Sequence, residues 1–267
     1  MKNPENAFKR ELTSGKRQFG LWAALADAYV IEILATSGFD WLLIDNEHAP
    51  NDVRSTLGQL QAIAPYDISP VVRPVTADAA LIKQFLDIGA QTLLLPMIDT
   101  EAQAKAAVAA TRYPPHGIRG VGSALARASR WNKVDGYLGG AADEICVLVQ
   151  VETVTGLANL SAIAKVEGVD GVFFGPSDLS ASMGLLGKPG DDKVRQAICS
   201  GIREVLAAGK AAGVLAPDRA IAQEYIDAGA TFIAVGTDVG LLNAGATQLA
   251  AAWKGTTTTQ NRERGGY

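Results

Sequence analysis

One pattern recurs through the chain and limits what it can fold into. An amphipathic helix runs out at a glycine, one or two residues follow, and a short apolar run begins. It occurs as LATSGFDWLLID at 34–45, FLDIGAQTLLLP at 85–96, KVEGVDGVFFGP at 165–176 and YIDAGATFIAVG at 225–236. Glycine suits the left-handed cap that ends a helix, and an unbroken apolar run suits a strand buried on both faces of a parallel sheet. Repeated joints of this kind mark an α/β fold.

The intervening segments supply the rest of the pattern. Strands are predicted at 19–22, 41–44, 70–73, 92–95, 146–151, 171–174, 213–215 and 232–235, alternating with helical stretches such as 28–37, 53–63, 79–88, 102–111, 194–208 and 221–228. Eight strand–helix units in a chain of 267 residues match a (β/α)8 TIM barrel. An open doubly wound sheet is the rival, but no G-x-G-x-x-G follows the first strand. The expected organisation is a single barrel domain over 1–254 and a low-complexity polar tail over 255–267. Residues 112–144, rich in Gly, Pro and Arg, form a connection long enough to be functional or interfacial.

Composition narrows the function. Lys and Arg number 24 against 28 Asp and Glu, a net charge of −4, which argues against nucleic acid or an anionic membrane as partner. No apolar run approaches the roughly 20 residues needed to span a bilayer, and the first residues lack a signal-peptide core, so a cytoplasmic protein is expected. Cys146 and Cys199 are expected to be buried free thiols, and two histidines exclude a zinc finger.

In a TIM barrel the chemistry sits where strands end. Strand 2 is followed by Asp45-Asn46-Glu47-His48, strand 3 ends at Arg73, strand 5 at Gln150-Val151-Glu152, and strand 6 at Gly175-Pro176-Ser177-Asp178. Glu152 and Asp178 terminate adjacent strands, where two carboxylates repel unless a divalent cation lies between them. Oxygen ligands of this kind suit Mg2+, Mn2+ or Co2+. Alternatively each acid belongs to a helix cap, with Thr153 able to take that role after Glu152. A guanidinium at Arg73 could hold a carboxylate or ketone oxygen bidentately, or form a structural ion pair with Asp45 or Glu47. His48 can move protons near neutral pH, whereas His116 reads as an exposed loop residue. No lysine stands at a strand's C-terminal end, so a Schiff-base aldolase is disfavoured, and one usable histidine makes a Ser–His–Asp triad improbable. Metal-assisted enolisation fits best.

The runs GFDWLLIDNEHAP (38–50), PVVRP (70–74), TLLLPM (92–97), RYPPHGIRGVG (112–122), VQVET (149–153) and GPSDLS (175–180) resemble the 4-hydroxy-2-oxoheptanedioate aldolase family over roughly residues 5–253. The resemblance implies a metal-dependent aldolase that reversibly cleaves a 4-hydroxy-2-oxo acid to pyruvate and an aldehyde, succinic semialdehyde for the family's namesake. By position it makes Glu152 and Asp178 the metal ligands. It has Gln150 and the backbone amides of Ser177 and Asp178 hold the substrate, Arg73 stabilise the enolate, and His48 act as base. It implies that Asp87 raises the basicity of that histidine, in the same subunit or from a neighbour. It implies a homo-oligomer, a hexamer; the arginine-rich 119–130 loop is either a subunit contact or a solvated loop. Asn46 stands where glycine is common, and its side chain is expected to narrow the aldehyde pocket. A sister aldolase for 2-keto-3-deoxy sugar acids shares the pyruvate half-site. A phosphosugar isomerase using the loop Gly236-Thr237-Asp238, or a non-enzymatic scaffold, are the remaining readings.

Overall fold

The four glycines of the repeated joint all take the left-handed backbone that a helix-ending residue needs, with φ of +85° at Gly38, +102° at Gly89, +92° at Gly168 and +111° at Gly229. The structure is a computed structural model that describes residues 1–255. The strands are β1 (Gln18–Ala23), β2 (Trp41–Asp45), β3 (Ser69–Arg73), β4 (Thr92–Leu95), β5 (Cys146–Val151), β6 (Gly171–Phe174), β7 (Ala211–Leu215) and β8 (Phe232–Thr237). Each pairs in parallel with the next and β8 pairs with β1, closing a (β/α)8 barrel. All eight predicted strands are present. β7 starts earlier than expected because Ala211 and Ala212 carry too little apolar surface to register as a strand in sequence.

Helices α1 (Ala7–Thr13), α2 (Ala28–Ala35), α3 (Val53–Ala62), α4 (Ala79–Asp87), α5 (Glu101–Thr111) and α6 (Tyr137–Gly140) belong to the first half. The second half carries α7 (Val154–Ala158), α8 (Leu160–Ala164), α9 (Pro176–Ser182), α10 (Asp192–Ala207), α11 (Arg219–Ala228) and α12 (Asp238–Lys254). Side chains of Asp27, Asp52, Asp78 and Asp218 accept from the first free amides of α2, α3, α4 and α11, fixing where each helix starts. The tail beyond Gly255, which ends α12 with φ +65°, lies outside the described residues.

Strand alternation sorts the side chains into two cores. One set (Leu42, Ile44, Val72, Val149, Val172, Phe174, Ile233) faces outward and packs under the helices. The other (Trp22, Trp41, Leu43, Val71, Leu94, Leu148, Phe173, Phe232) fills the barrel, with α1 inserting Phe8 and Leu12 from the floor. Carried one step further, the same period of two turns Asp45, Arg73, Gln150 and Glu152 inward at the open end. Cys146 is buried inside the barrel, Cys199 is only partly buried on α10, and both are free thiols.

α12 departs from its neighbours. Residues 239–250 are exposed without a break, among them Leu241, Leu242 and Leu249. Among the described residues no helix is long and apolar enough to cross a membrane.

Candidate active site

Six residues from the ends of β1, β3, β5 and β6 and the turn after β2 line one small cavity at the mouth: Trp22, His48, Arg73, Gln150, Ser177 and Asp178. Leu215, Phe173, Gly175 and Pro176 complete its walls. The sequence-predicted residues His48, Arg73, Gln150, Ser177 and Asp178 are therefore brought together. Trp22, at the end of β1, was not singled out in sequence, although an aromatic residue closing a strand is a readable signal.

Arg73 is held from three sides. Its Nε donates to Asp45 Oδ1 at 2.8 Å and its Nη2 to Asp45 Oδ2 at 2.7 Å. Nη1 forms an ion pair with Glu47 Oε2 at 2.9 Å that lacks hydrogen-bond directionality. The guanidinium lies 5.1 Å from the Trp22 ring centroid, and Trp22 Nε1 donates to Asp45 Oδ2 at 3.3 Å. The bidentate fork expected to grip a substrate is thus taken by Asp45, because a buried guanidinium needs a buried counter-charge. What remains for a ligand is the outer Nη1/Nη2 edge, whose Nη1 also pairs with Glu47. Burial alone would raise the Asp45 carboxyl, but the Arg73 bonds and charge, with the Glu47 and His48 amides, hold it below the usual carboxylate range.

Glu152 sits in a different setting. It is 2% exposed; Oε1 accepts from the Met97 N–H at 3.0 Å and Oε2 from the Gln150 amide. Met97 reaches it through a left-handed backbone, φ +55°, unusual for a side chain of that size. Burial first, then the charges of Glu47 and Asp178, push the Glu152 carboxyl up to about 7. Burial raises Glu47 as well. Gly175 is required beside it: a Cβ there would collide with Glu152 Oε2 and stand 2.9 Å from Gln150 Nε2.

Neither acid is spent on a helix cap. Thr153 Oγ1 accepts from Gly156 N–H at 2.9 Å and caps α7, while no side chain caps α9, in which Asp178 is an exposed first-turn residue. Asp45, Glu47, Glu152 and Asp178 thus gather around one guanidinium, a net deficit of positive charge. Gln150 Oε1 is buried with no donor. Among the described residues no three His, Cys, Asp or Glu side chains come together as a metal cluster. Glu152 and Asp178, the two acids expected from sequence to hold a metal, carry hard oxygen donors of the kind a divalent cation combines with water and substrate ligands.

His48 is half-exposed, with Nε2 3.9 Å from Glu47 Oε2. Asp87 ends α4 at the opposite end of the barrel, where its Oδ1 accepts from Arg119 Nη2 at 2.7 Å, so within one chain it does not meet His48. Asn46 corrects an expectation. Its side chain is buried under α3, accepting from Thr56 Oγ1 at 2.9 Å, and does not line the cavity. The reason is strand alternation: Asp45 points in, so the next residue points out. His116 is exposed, as expected. At the eighth strand, Asp238 accepts from the Ala24 and Leu25 amides at 3.0 Å, filling with its own carboxylate the place an isomerase would give a phosphate.

The HpcH/HpaI aldolase/citrate lyase family model matches residues 18–244. The chain is 74% identical over its whole length to the whole of a hydroxypyruvate/pyruvate aldolase of Paraburkholderia phytofirmans. It is 58% identical, over 92% of its length and 94% of the relative, to a 4-hydroxy-2-oxo-heptane-1,7-dioate aldolase of Salmonella heidelberg. Its fold superimposes with a TM-score of 0.89 on an HpcH/HpaI aldolase/citrate lyase family protein of Burkholderia cenocepacia. That match is at 39% identity and covers 93% of this chain and 99% of that one.

Proposed function

The chain belongs to the HpcH/HpaI aldolase/citrate lyase family and is a carbon–carbon lyase, and from that premise we propose a divalent-metal-dependent pyruvate aldolase. It cleaves a 4-hydroxy-2-oxo acid, such as 4-hydroxy-2-oxoheptane-1,7-dioate, reversibly to pyruvate and an aldehyde, such as succinic semialdehyde. The observation that carries this reading is the raised, buried Glu152 carboxyl beside Asp178, with four carboxylates set against Arg73. Glu152 and Asp178 would hold the cation, and Mg2+, Mn2+ and Co2+ all suit their oxygens. When bound, the cation supplies a Lewis acid that draws electron density from the 2-oxo group.

The chain's own groups do the rest. His48 takes the proton from the C4 hydroxyl, the C3–C4 bond breaks, its electron pair passes into the pyruvate enolate, and the aldehyde leaves. Arg73 Nη1 faces the developing enolate oxygen, and Asp45 and Trp22 keep the guanidinium from moving as charge grows. Gln150 Oε1, unpartnered, accepts from substrate or water. The first bond within α9 runs from Leu179 N–H to Gly175 O at 3.0 Å, leaving the Ser177 and Asp178 amides for the substrate carboxylate. In the reverse direction C3 of pyruvate loses a proton and attacks the aldehyde.

Self-association is part of the proposal. Val121, Leu125 and Trp131 on the long connection and Leu241, Leu242 and Leu249 on α12 are exposed apolar side chains, more than a monomer ordinarily carries in two segments. Only a second copy, within a homo-oligomer such as a hexamer, brings Asp87 to a His48. Sedimentation at micromolar concentration is expected to give a multiple of 27.9 kDa; a monomer would remove Asp87 from the mechanism.

The name of the 74% identical relative favours a second reading in which hydroxypyruvate replaces pyruvate as donor. The test is pyruvate release after chelator treatment and re-addition of Mg2+, Mn2+ or Co2+, over a panel that includes 2-keto-3-deoxy sugar acids and hydroxypyruvate aldols. Loss on chelation and recovery with a cation are expected. Full cleavage in chelated protein, or in Arg73→Ala, would contradict the mechanism.

A further inference from the structure

Among the described residues of one chain His48 makes no side-chain hydrogen bond, so its place over a substrate depends there on the backbone that carries it. That backbone is held at its start by the Asp45 carboxylate, which accepts from the Glu47 N–H at 3.0 Å, and is closed at its far end by Asn51. Asn51 Nδ2 donates to the Asp45 backbone oxygen at 2.7 Å, joining the two ends of the β2–α3 connection. The amide is also oriented: Asn51 Oδ1 accepts from Gln59 Nε2 at 2.7 Å and from Ser55 Oγ at 2.9 Å, which leaves its NH2 end to face Asp45. A second pin joins Thr56 Oγ1 to Asn46 Oδ1 at 2.9 Å, and the Asn46 N–H continues the sheet by donating to the Arg73 oxygen at 2.9 Å.

These partners come from an unexpected place. Thr56 and Gln59 are buried, at 0% and 1% exposure, on the face of α3 turned to the barrel. A helix that only covered a sheet would gain more from Val and Leu there, since a buried polar group costs free energy unless its bonds are made. Here the bonds run to the connection carrying Glu47 and His48.

We propose that Asn51, oriented by Gln59, is a positioning residue for His48: it latches the β2–α3 connection so that the imidazole is presented at the substrate hydroxyl. The role rests on the aldolase reading with His48 as base. Displacing a general base by about 1 Å costs on the order of 100-fold in rate.

The test is a double-mutant cycle on pyruvate release, with Asn51→Asp and His48→Ala, alone and together. Asn51→Asp is expected to lower kcat about 10- to 100-fold with KM within about threefold, and to cost less than about twofold when His48 is already alanine. The milder pin is read with Thr56→Val, expected to lose activity, and Thr56→Ser, expected to keep it. An equal loss in both His48 backgrounds would make Asn51 a general structural brace and overturn the proposal, as would an unchanged kcat in Asn51→Asp. Full activity in His48→Ala alone would instead overturn the reading of His48 as base, and the positioning role with it.

Discussion

The two ends of this barrel handle charge in opposite ways. At the floor, cations and anions are matched: Arg119 with Asp87 at 2.7 Å, Arg10 with Glu144 at 3.2 Å, Lys9 with Asp170 at 3.7 Å. Asn6 finishes the joint by donating to Thr92 Oγ1 and to the Gln91 and Glu144 backbone oxygens. At the mouth, four carboxylates face one guanidinium, and Glu152 is buried without a cation of its own. Ion pairs of this kind at the floor serve stability. A mouth with excess negative charge stores free energy that a bound cation and keto acid can release.

The sharpest way to break this contrast is to neutralise the mouth. Glu152→Gln keeps the shape and removes a buried charge, so kcat/KM is expected to fall about 1,000-fold, the several kcal/mol a Lewis acid supplies. The melting temperature should hold or rise; a fall in both would mean that Glu152 serves the fold.

The floor should respond the other way. Phe8 is buried, with ring centroids 6.0 Å from both Trp41 and Phe232. Phe8→Ala is expected to cost about 3–5 kcal/mol in urea unfolding, with kcat per folded molecule unchanged.

A pH series on chelated protein sharpens the contrast further. The unfolded chain releases the Glu152 proton near 4.5 and the folded protein near 7. Between those values the folded state holds the extra proton, so stability should decline with rising pH by roughly 3 kcal/mol at most and then level off. Glu152→Gln should flatten that slope. The lowered Asp45 carboxyl acts with the reverse sign, adding stability above the usual carboxylate range and losing it in acid. The smallest effect expected is from Gly175→Ala, whose methyl group presses on Glu152 and Gln150. A loss of about tenfold in kcat/KM is expected, with modest destabilisation.

Much of this was legible in the sequence, for a physical reason. Glycine after a helix and an apolar run buried on both faces are local signals, so the helix–strand joints and all eight strands could be placed. The strand-end rule then picked out Arg73, Gln150, Glu152 and Asp178 from many polar residues. What stayed hidden depends on direction and on partners distant in sequence. Alternation turned Asn46 away from the cavity, Asp45 claimed the Arg73 fork, and the Met97 amide reached Glu152 from another strand's end. α1 and α12 were not picked out: α1 is short, and α12 buries no face against its own barrel. Asp87 came only from resemblance, because in a single chain it stands at the floor and pairs with Arg119, away from the strand ends that the rule searches.

The most direct measurement is calorimetric titration of chelated protein with Mn2+, with and without pyruvate, in the native chain and in Glu152→Gln. The account expects about one ion bound per chain, tighter with pyruvate present, and binding lost in the variant. Equal Mn2+ affinity in the two proteins, or no effect of pyruvate, would contradict it.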